Sequence, residues 1–272
     1  MRKFWTKEKL GKHKGLLSTI ETIYKAYSKV NESDLFRKLN KSKFKLKNSD
    51  SVNWSSILIE SELDDFLDDR FIDAALDVNT TRPAIGKGEF LLVSLFKNIA
   101  FATGSGDLID LETNDKIEMK GQNSKLSSGS SKYKSMSKGI MFYIYKMFNL
   151  VPSLDKFDLV FCQYIKTIIA DNEDSMFKFF MLTQNTKKSY EEVADGAVKV
   201  YKEKKKLLRT VAAMHLYAYM HVENNDYLIA TTSKYFRCFK CPNSIAEAYS
   251  ILENFEVNDW RIGSSGMSVS LK

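Results

Sequence analysis

Cysteine is scarce in this chain, and the usual marks of export or membrane insertion are missing. Only three cysteines occur among 272 residues, so at least one stays unpaired in any disulfide scheme, which fits a reducing compartment. No apolar run approaches the roughly 18 to 20 residues of a membrane span. The basic residues after Met1 precede no apolar signal core, so secretion is not indicated. We therefore expect a soluble cytoplasmic protein with no membrane partner.

The composition is typical of a folded globular protein. Apolar residues make up 44% of the chain and aromatic residues 12%, which argues against a mainly disordered chain. Helical and strand patterns are mixed along the sequence, and this predicts an α/β or α+β fold. The pattern predicts helices over 1–48, 89–100, 138–150, 189–222 and 244–254. It predicts a buried strand over 157–165, a strand or hairpin over 227–239 and closing strands over 260–271. A mobile loop is predicted over 124–137.

Charge is distributed unevenly along the chain. Residues 1–50 carry fourteen Lys or Arg against five Asp or Glu, whereas residues 51–80 carry one Arg against eight acids. The basic segment suits a polyanion, since each neutralised phosphate releases counterions; the alternative is a solvated helical face. Its predominance of Lys favours backbone contact over base readout. The acidic run over 60–77 has apolar residues near helical spacing and predicts an amphipathic helix. We divide the chain into a helical N-terminal region, 1–80, and a second region, 81–272.

A β-hairpin is predicted over 106–121, where two short runs of alternating apolar residues flank a polar turn. Side chains on a strand alternate between faces, so Glu118 and Lys120 point the same way while Met119 points into a core. Asp107 opens the first strand of the hairpin. Two carboxylates and an ammonium are therefore expected to converge at one edge of a sheet.

This combination of side chains suits phosphodiester hydrolysis with a hard divalent cation. We predict Asp107 and Glu118 as direct ligands of Mg²⁺, with Mn²⁺ as an alternative metal, and the Met119 carbonyl as a third oxygen. Lys120 would orient the attacking water and stabilise negative charge. Glu89, which follows Gly88 on the first turn of the preceding helix, would complete the metal site. The predicted catalytic residues are thus Asp107, Glu118, Lys120 and Glu89.

The same residues resemble the motif of the PD-(D/E)XK nuclease superfamily. The similarity extends over residues 82–125, with Gly86-Lys-Gly-Glu89 on a helix, Gly106-Asp107 opening one strand and Glu118-Met-Lys120 on the next. It implies a restriction-endonuclease-like mixed β-sheet flanked by helices, with Asp107 as the motif aspartate, Glu118 as the second acid and Lys120 as the motif lysine. It further implies a metal-dependent DNA endonuclease, and by analogy with the family a homodimer. Residue 106 is Gly where the motif has Pro.

Contacts with DNA are predicted near the hairpin and in the serine-rich segment after it. Hydroxyl, amide and ammonium groups there can donate to phosphates. The predicted nucleic-acid-binding residues are Lys87, Gln122, Asn123, Lys125, Lys132 and Lys134.

Three alternatives stay open at this point. The chain could be a non-catalytic nucleic-acid-binding or assembly protein that keeps the nuclease fold. Cys238 and Cys241 form a Cys-x-x-Cys pair that, with His215 or His221, could hold a structural zinc, although four ligands are required. Asp110 would replace Asp107 if the hairpin register were shifted.

Overall fold

The computed structural model describes residues 4–78, 80–81, 84–122, 124–126, 130, 204–260 and 267–271. The chain forms two compact units. The first contains Met1–Gln122, Glu223–Cys241 and Leu271, and the second contains Asn123–Val222, Pro242–Ser270 and Lys272. Glu89, Asp107, Glu118 and Lys120 all lie in the first unit.

The N-terminal part of the first unit is helical. Its helices are α1 (Lys7–Leu10), α2 (Leu17–Tyr27), α3 (Glu32–Leu39), α4 (Ile57–Glu60), α5 (Arg70–Leu76) and α6 (Glu89–Leu95), with 3-10 segments at Gly11–Leu16 and Trp54–Ser56. Thr6 and Asn31 cap α1 and α3 with side-chain oxygens that accept main-chain N–H groups. The helical prediction over 1–48 is confirmed for Lys7–Tyr27 and Glu32–Leu39, whereas residues 40–48 are not helical.

A six-stranded mixed sheet forms the centre of this unit. Its strands are β1 (Val52–Asn53), β4 (Ile99–Phe101), β5 (Leu108–Asp110), β6 (Lys116–Lys120), β8 (Tyr227–Thr231) and β9 (Tyr235–Lys240), in the order β1-β9-β8-β6-β5-β4. Strands β6 and β8 run parallel, while the other neighbouring pairs are antiparallel. A small hairpin pairs β2 (Thr80–Thr81) with β3 (Ala84–Ile85). The predicted α/β class with a mixed sheet and flanking helices is confirmed. Residues 227–239 were predicted as one strand or a hairpin, and they form the hairpin of β8 and β9.

Helix α6 links the N-terminal helices to the sheet. Every one of its residues is buried, which is the pattern of a helix enclosed on all sides. It contacts β4 on one side and α5 on another. The Tyr24 hydroxyl on α2 donates a hydrogen bond of 2.8 Å to the carbonyl of Ser94. This packing holds α6, and with it Glu89 at its first position, in a defined place.

Two predicted helices are wrong in extent. The acidic run over 60–77 is helical only at Glu60, the last residue of α4, and in α5. Glu62, which follows α4, takes a left-handed conformation (φ 55°). Leu63, Leu67 and Phe71 are nevertheless fully buried, so the apolar pattern reports burial and not a continuous helix. The helix predicted over 89–100 ends at Leu95, and Ile99–Phe101 pairs with β5 as a strand.

The second unit contains α7 (Lys204–Glu223) and β11 (Met267–Leu271), each without its last residue, together with α8 (Ile245–Leu252), β10 (Phe255–Trp260) and β7 (Ser124–Leu126). Strands β10, β11 and β7 form a three-stranded sheet. Ser244 caps α8 by accepting from the main-chain N–H of Glu247, which confirms the predicted helix. Ser124–Leu126 was predicted as loop but pairs with β11. The predictions over 138–150 and 157–165 lie outside the described residues. No helix in the described part of the chain has the length and apolar character to cross a membrane.

Candidate active site

The hairpin of β5 and β6 has the predicted register. Leu108 pairs with Ile117 and Ile109 with Lys116, and the Asp107 N–H donates to the Ile117 carbonyl at 2.9 Å. The turn between the strands is closed with Asn114 at φ 63°, a conformation that asparagine tolerates. Asp107 therefore stands directly before β5, at the level of Glu118 on the neighbouring strand.

Glu118 and Lys120 lie on one face of β6, as the alternation predicts. The Lys120 Nζ lies 2.6 Å from Glu118 Oε1, and both side chains are largely buried. Met119 faces away from them and is itself buried. Its main-chain N–H donates to Asp107 Oδ2 at 2.8 Å, and because the N–H and C=O of a strand residue point to the same side, its carbonyl also belongs to the Asp107 side of β6.

Two glycines are required by the shape of the site. Gly106 has φ 81°, and a Cβ there would lie 3.1 Å from Asn225 Oδ1 and 3.2 Å from the Ile117 carbonyl oxygen. Gly88 has φ 89°, and a Cβ would lie 2.8 Å from the ring of Trp54 and 3.0 Å from Met119 Cε. Larger residues would be strained at both positions and would push the hairpin or α6 away.

Glu89 is the first residue of α6 and is only 7% exposed. Its Oε1 accepts a hydrogen bond of 2.8 Å from the Gly86 N–H. This bond turns the carboxylate back over the start of its own helix, so that its position depends on the docking of α6.

The electrostatics show that the carboxylates form one group. Burial raises the pKa of Asp107 to about 6, with the negative charge of Glu118 as the next cause. Burial and then the charge of Asp107 raise the pKa of Glu89 to about 7, and Glu118 adds to this effect. The structure thus brings Glu89, Asp107, Glu118 and Lys120 together where β5 begins and β6 ends, on two interior strands of the sheet.

Each carboxylate is also bonded to a donor of the protein: Glu89 to Gly86, Asp107 to Met119 and Glu118 to Lys120. Within the described ranges, no group of three or more His, Cys, Asp or Glu side chains is arranged to hold a metal ion. A magnesium ion usually takes only one or two carboxylates, with waters or substrate oxygens completing its shell. Asp107 and Glu118, with the Met119 carbonyl, are the oxygens that fit this smaller requirement.

Two site residues escaped the sequence analysis. Asn225, which is 3% exposed, donates from Nδ2 to Glu118 Oε2 at 3.4 Å, and its Oδ1 has no hydrogen-bond partner among the described residues. The charge of Lys12 lowers the pKa of both Asp107 and Glu89. In the sequence, only the basic character of the N-terminal segment points to Lys12. Nothing in the sequence distinguishes Asn225 from an ordinary turn residue.

Asp110 has a different role from Asp107. It is buried at the opposite end of β5, where it accepts hydrogen bonds of 2.8 Å from Asn98 Nδ2 and from the Glu112 N–H. These bonds tie the hairpin turn to the loop before β4. The register places Asp107 at the site, so the Asp110 alternative is wrong.

The predicted DNA contacts are placed only in part. Lys87 and Gln122 are exposed, in the turn before α6 and just after β6 respectively. Lys125 lies on β7 in the second unit, and Asn123, Lys132 and Lys134 lie outside the described residues.

The Cys-x-x-Cys pair gains no support as a zinc site from the described residues. Cys238 is buried in β9, and burial raises the pKa of its thiol to about 12, which disfavours the thiolate that zinc requires. Burial lowers the pKa of His215 to about 4. The ring Nε2 of His221 lies 3.0 Å from the carbonyl of Pro242.

Comparison of the chain with protein-family models, with curated proteins and with solved structures finds no match. The resemblance to the PD-(D/E)XK superfamily therefore stays a prediction. What can be inferred about function comes from the residues of the site and their chemistry.

Proposed function

We propose that this chain is a metal-dependent hydrolase of nucleic-acid phosphodiesters, and more specifically a Mg²⁺-dependent DNA endonuclease with a restriction-endonuclease-like core. One observation carries the proposal: the buried carboxylates of Glu89 and Glu118 and the partly buried carboxylate of Asp107 converge with Lys120 where the β5–β6 hairpin meets the start of α6. Their burial and mutual repulsion raise the pKa of Asp107 and of Glu89. Ionisable groups perturbed in this way mark candidate functional sites.

The donor set fits a hard divalent cation. Repulsion among the carboxylates makes their shared ionisation unfavourable, and a cation between them would remove that cost. Asp107, Glu118 and the Met119 carbonyl would hold the metal, with Glu89 supporting them. Mg²⁺ bound there would neutralise phosphate charge and lower the pKa of a water molecule.

The side chains of the site have separate roles in this proposal. Lys120 is ion-paired with Glu118, and from there it would stabilise negative charge that develops on the phosphate. Glu89, with a pKa raised to about 7, is the carboxylate suited to hold and release a proton near neutral pH. Asn225 orients Glu118 through its amide.

Exposed lysines support a nucleic-acid substrate. Residues 42–48 run without helix after α3, and Lys43, Lys45 and Lys47 are exposed at alternate positions, while Phe44 and Leu46 are half-buried. Ammonium groups at alternate positions suit a phosphate backbone and do not distinguish bases; that of Lys43 is ion-paired with Glu112.

The test is cleavage of plasmid and linear DNA with Mg²⁺, Mn²⁺ or EDTA. Asp107→Asn and Lys120→Met keep the shape of each side chain and remove its charge, and each is expected to lower the rate by about 100-fold or more. Asp65→Asn is the matched control, since Asp65 is an exposed carboxylate between α4 and α5, outside the site, and it should cleave like the wild type.

Metal-dependent cleavage that survives both site substitutions would refute the assignment of the site. A wild-type protein that binds DNA yet cleaves neither DNA nor RNA would favour the non-catalytic binding protein instead. Thermal unfolding of each variant separates loss of chemistry from loss of fold.

A further inference from the structure

The 3-10 segment Gly11–Leu16 crosses the end of β4 close to the site. A Cβ added at Gly11 would lie 3.6 Å from the Phe101 carbonyl oxygen. On the other side of Lys12, the His13 ring lies 4.4 Å from the Phe101 ring, centroid to centroid, and His13 is buried. Lys12 is therefore held from both sides against the last residue of β4.

The end of β4 is directly connected to Asp107. Phe101 pairs with Leu108 in β5, and the Ala102 N–H donates to the carbonyl of Asp107 at 3.0 Å. Lys12 is thus anchored one strand away from the carboxylates, on an element that comes from the far N-terminal part of the chain.

The Lys12 side chain is exposed, and within the part of the chain that the structure describes it has no hydrogen bond or ion pair with another residue. Its charge nevertheless reaches both Asp107 and Glu89, whose pKa it lowers against the effect of burial. Lys120, by contrast, is 15% exposed and ion-paired to Glu118. Lys12 therefore offers three ammonium donors to a ligand at the rim of the carboxylate group.

We propose that Lys12 is a further residue of the site, which contacts a backbone phosphate of the nucleic acid bound there. This inference depends on the proposed function and adds the substrate contact that the hairpin does not supply. Clustered carboxylates repel a polyanion, and a cation at their rim favours the approach of a backbone phosphate to the metal site. A lysine acts as a point charge on phosphate, so the contact should be independent of base sequence.

The test compares Lys12→Gln with Lys14→Gln, because Lys14 is an exposed lysine two positions further along the same segment. Binding of a labelled DNA duplex is measured by fluorescence anisotropy with Ca²⁺ in place of Mg²⁺, over a series of KCl concentrations. For Lys12→Gln we expect the slope of log K against log salt to become smaller by about one. We also expect kcat/KM for cleavage to fall mainly through KM, while Lys12→Arg stays near the wild type.

The outcomes separate this inference from the function itself. If the wild type cleaves DNA, but Lys12→Gln has the same salt slope and the same KM as Lys14→Gln, the role of Lys12 is overturned and the nuclease proposal stays intact. A wild-type protein that neither binds nor cleaves nucleic acid would overturn both. A smaller slope and a higher KM for Lys12→Gln alone would support the contact.

Discussion

Replacing Glu89 with Gln should stabilise the metal-free protein at alkaline pH. Glu89 is 7% exposed, and its pKa is raised from 4.5 to about 7, first by burial and then by Asp107. Glutamine keeps an oxygen that can accept from the Gly86 N–H and removes the buried charge. The substitution therefore isolates the cost of that charge.

The sign and size of the effect follow from proton linkage. Because the pKa is higher in the folded state than in the unfolded state, the folded protein binds the proton more tightly. The free energy of unfolding then falls as pH rises from about 4.5 to about 7. A difference of about 2.5 pKa units corresponds to about 3 kcal/mol. Glu89→Gln should thus be more stable than the wild type by up to about 3 kcal/mol at pH 8 and by nearly nothing at pH 4.

Urea unfolding followed by tryptophan fluorescence measures this difference, in EDTA and at both pH values. Trp5 and Trp54 are buried in the first unit and report on its unfolding. Glu8→Gln, an exposed change on α1, serves as control and should shift the free energy by less than about 0.5 kcal/mol. An equal gain at pH 4 and pH 8, or no gain at pH 8, would refute the reasoning.

Two further substitutions probe the surroundings of the carboxylates. Asn225→Ala removes the amide that donates to Glu118, and we expect about 10-fold weaker Mg²⁺ binding by calorimetry; unchanged affinity would show that the amide does not orient Glu118. Gly106→Ala forces a side chain onto φ 81° against Asn225 and Ile117 and should lower the stability by about 1–3 kcal/mol in thermal unfolding. Gly15→Ala, where nothing lies within 4 Å of an added Cβ, is its control and should be neutral or slightly stabilising.

Local patterns predicted the β5–β6 hairpin, and for residues 227–239 they predicted either one strand or a hairpin. Alternation of side chains and a turn residue that tolerates positive φ are properties of neighbouring residues, so Asp107, Glu118 and Lys120 could be placed from the sequence. The apolar residues of the acidic run were likewise identified as core. The sequence predicts one continuous helix there. The break at Glu62 is not predicted because its left-handed conformation depends on packing, and no nearby glycine or proline indicates it.

Only the tertiary structure decided what surrounds those three residues. Glu89 lies beside them because α6 is enclosed by the sheet and the N-terminal helices. Lys12 and Asn225 lie near them although they come from distant parts of the sequence. The raised pKa of Asp107 and of Glu89 depends on burial and on distances between charges, which no local pattern contains. The sequence by itself therefore determined which chemical groups share the hairpin, and the packing of remote segments decided how those groups ionise.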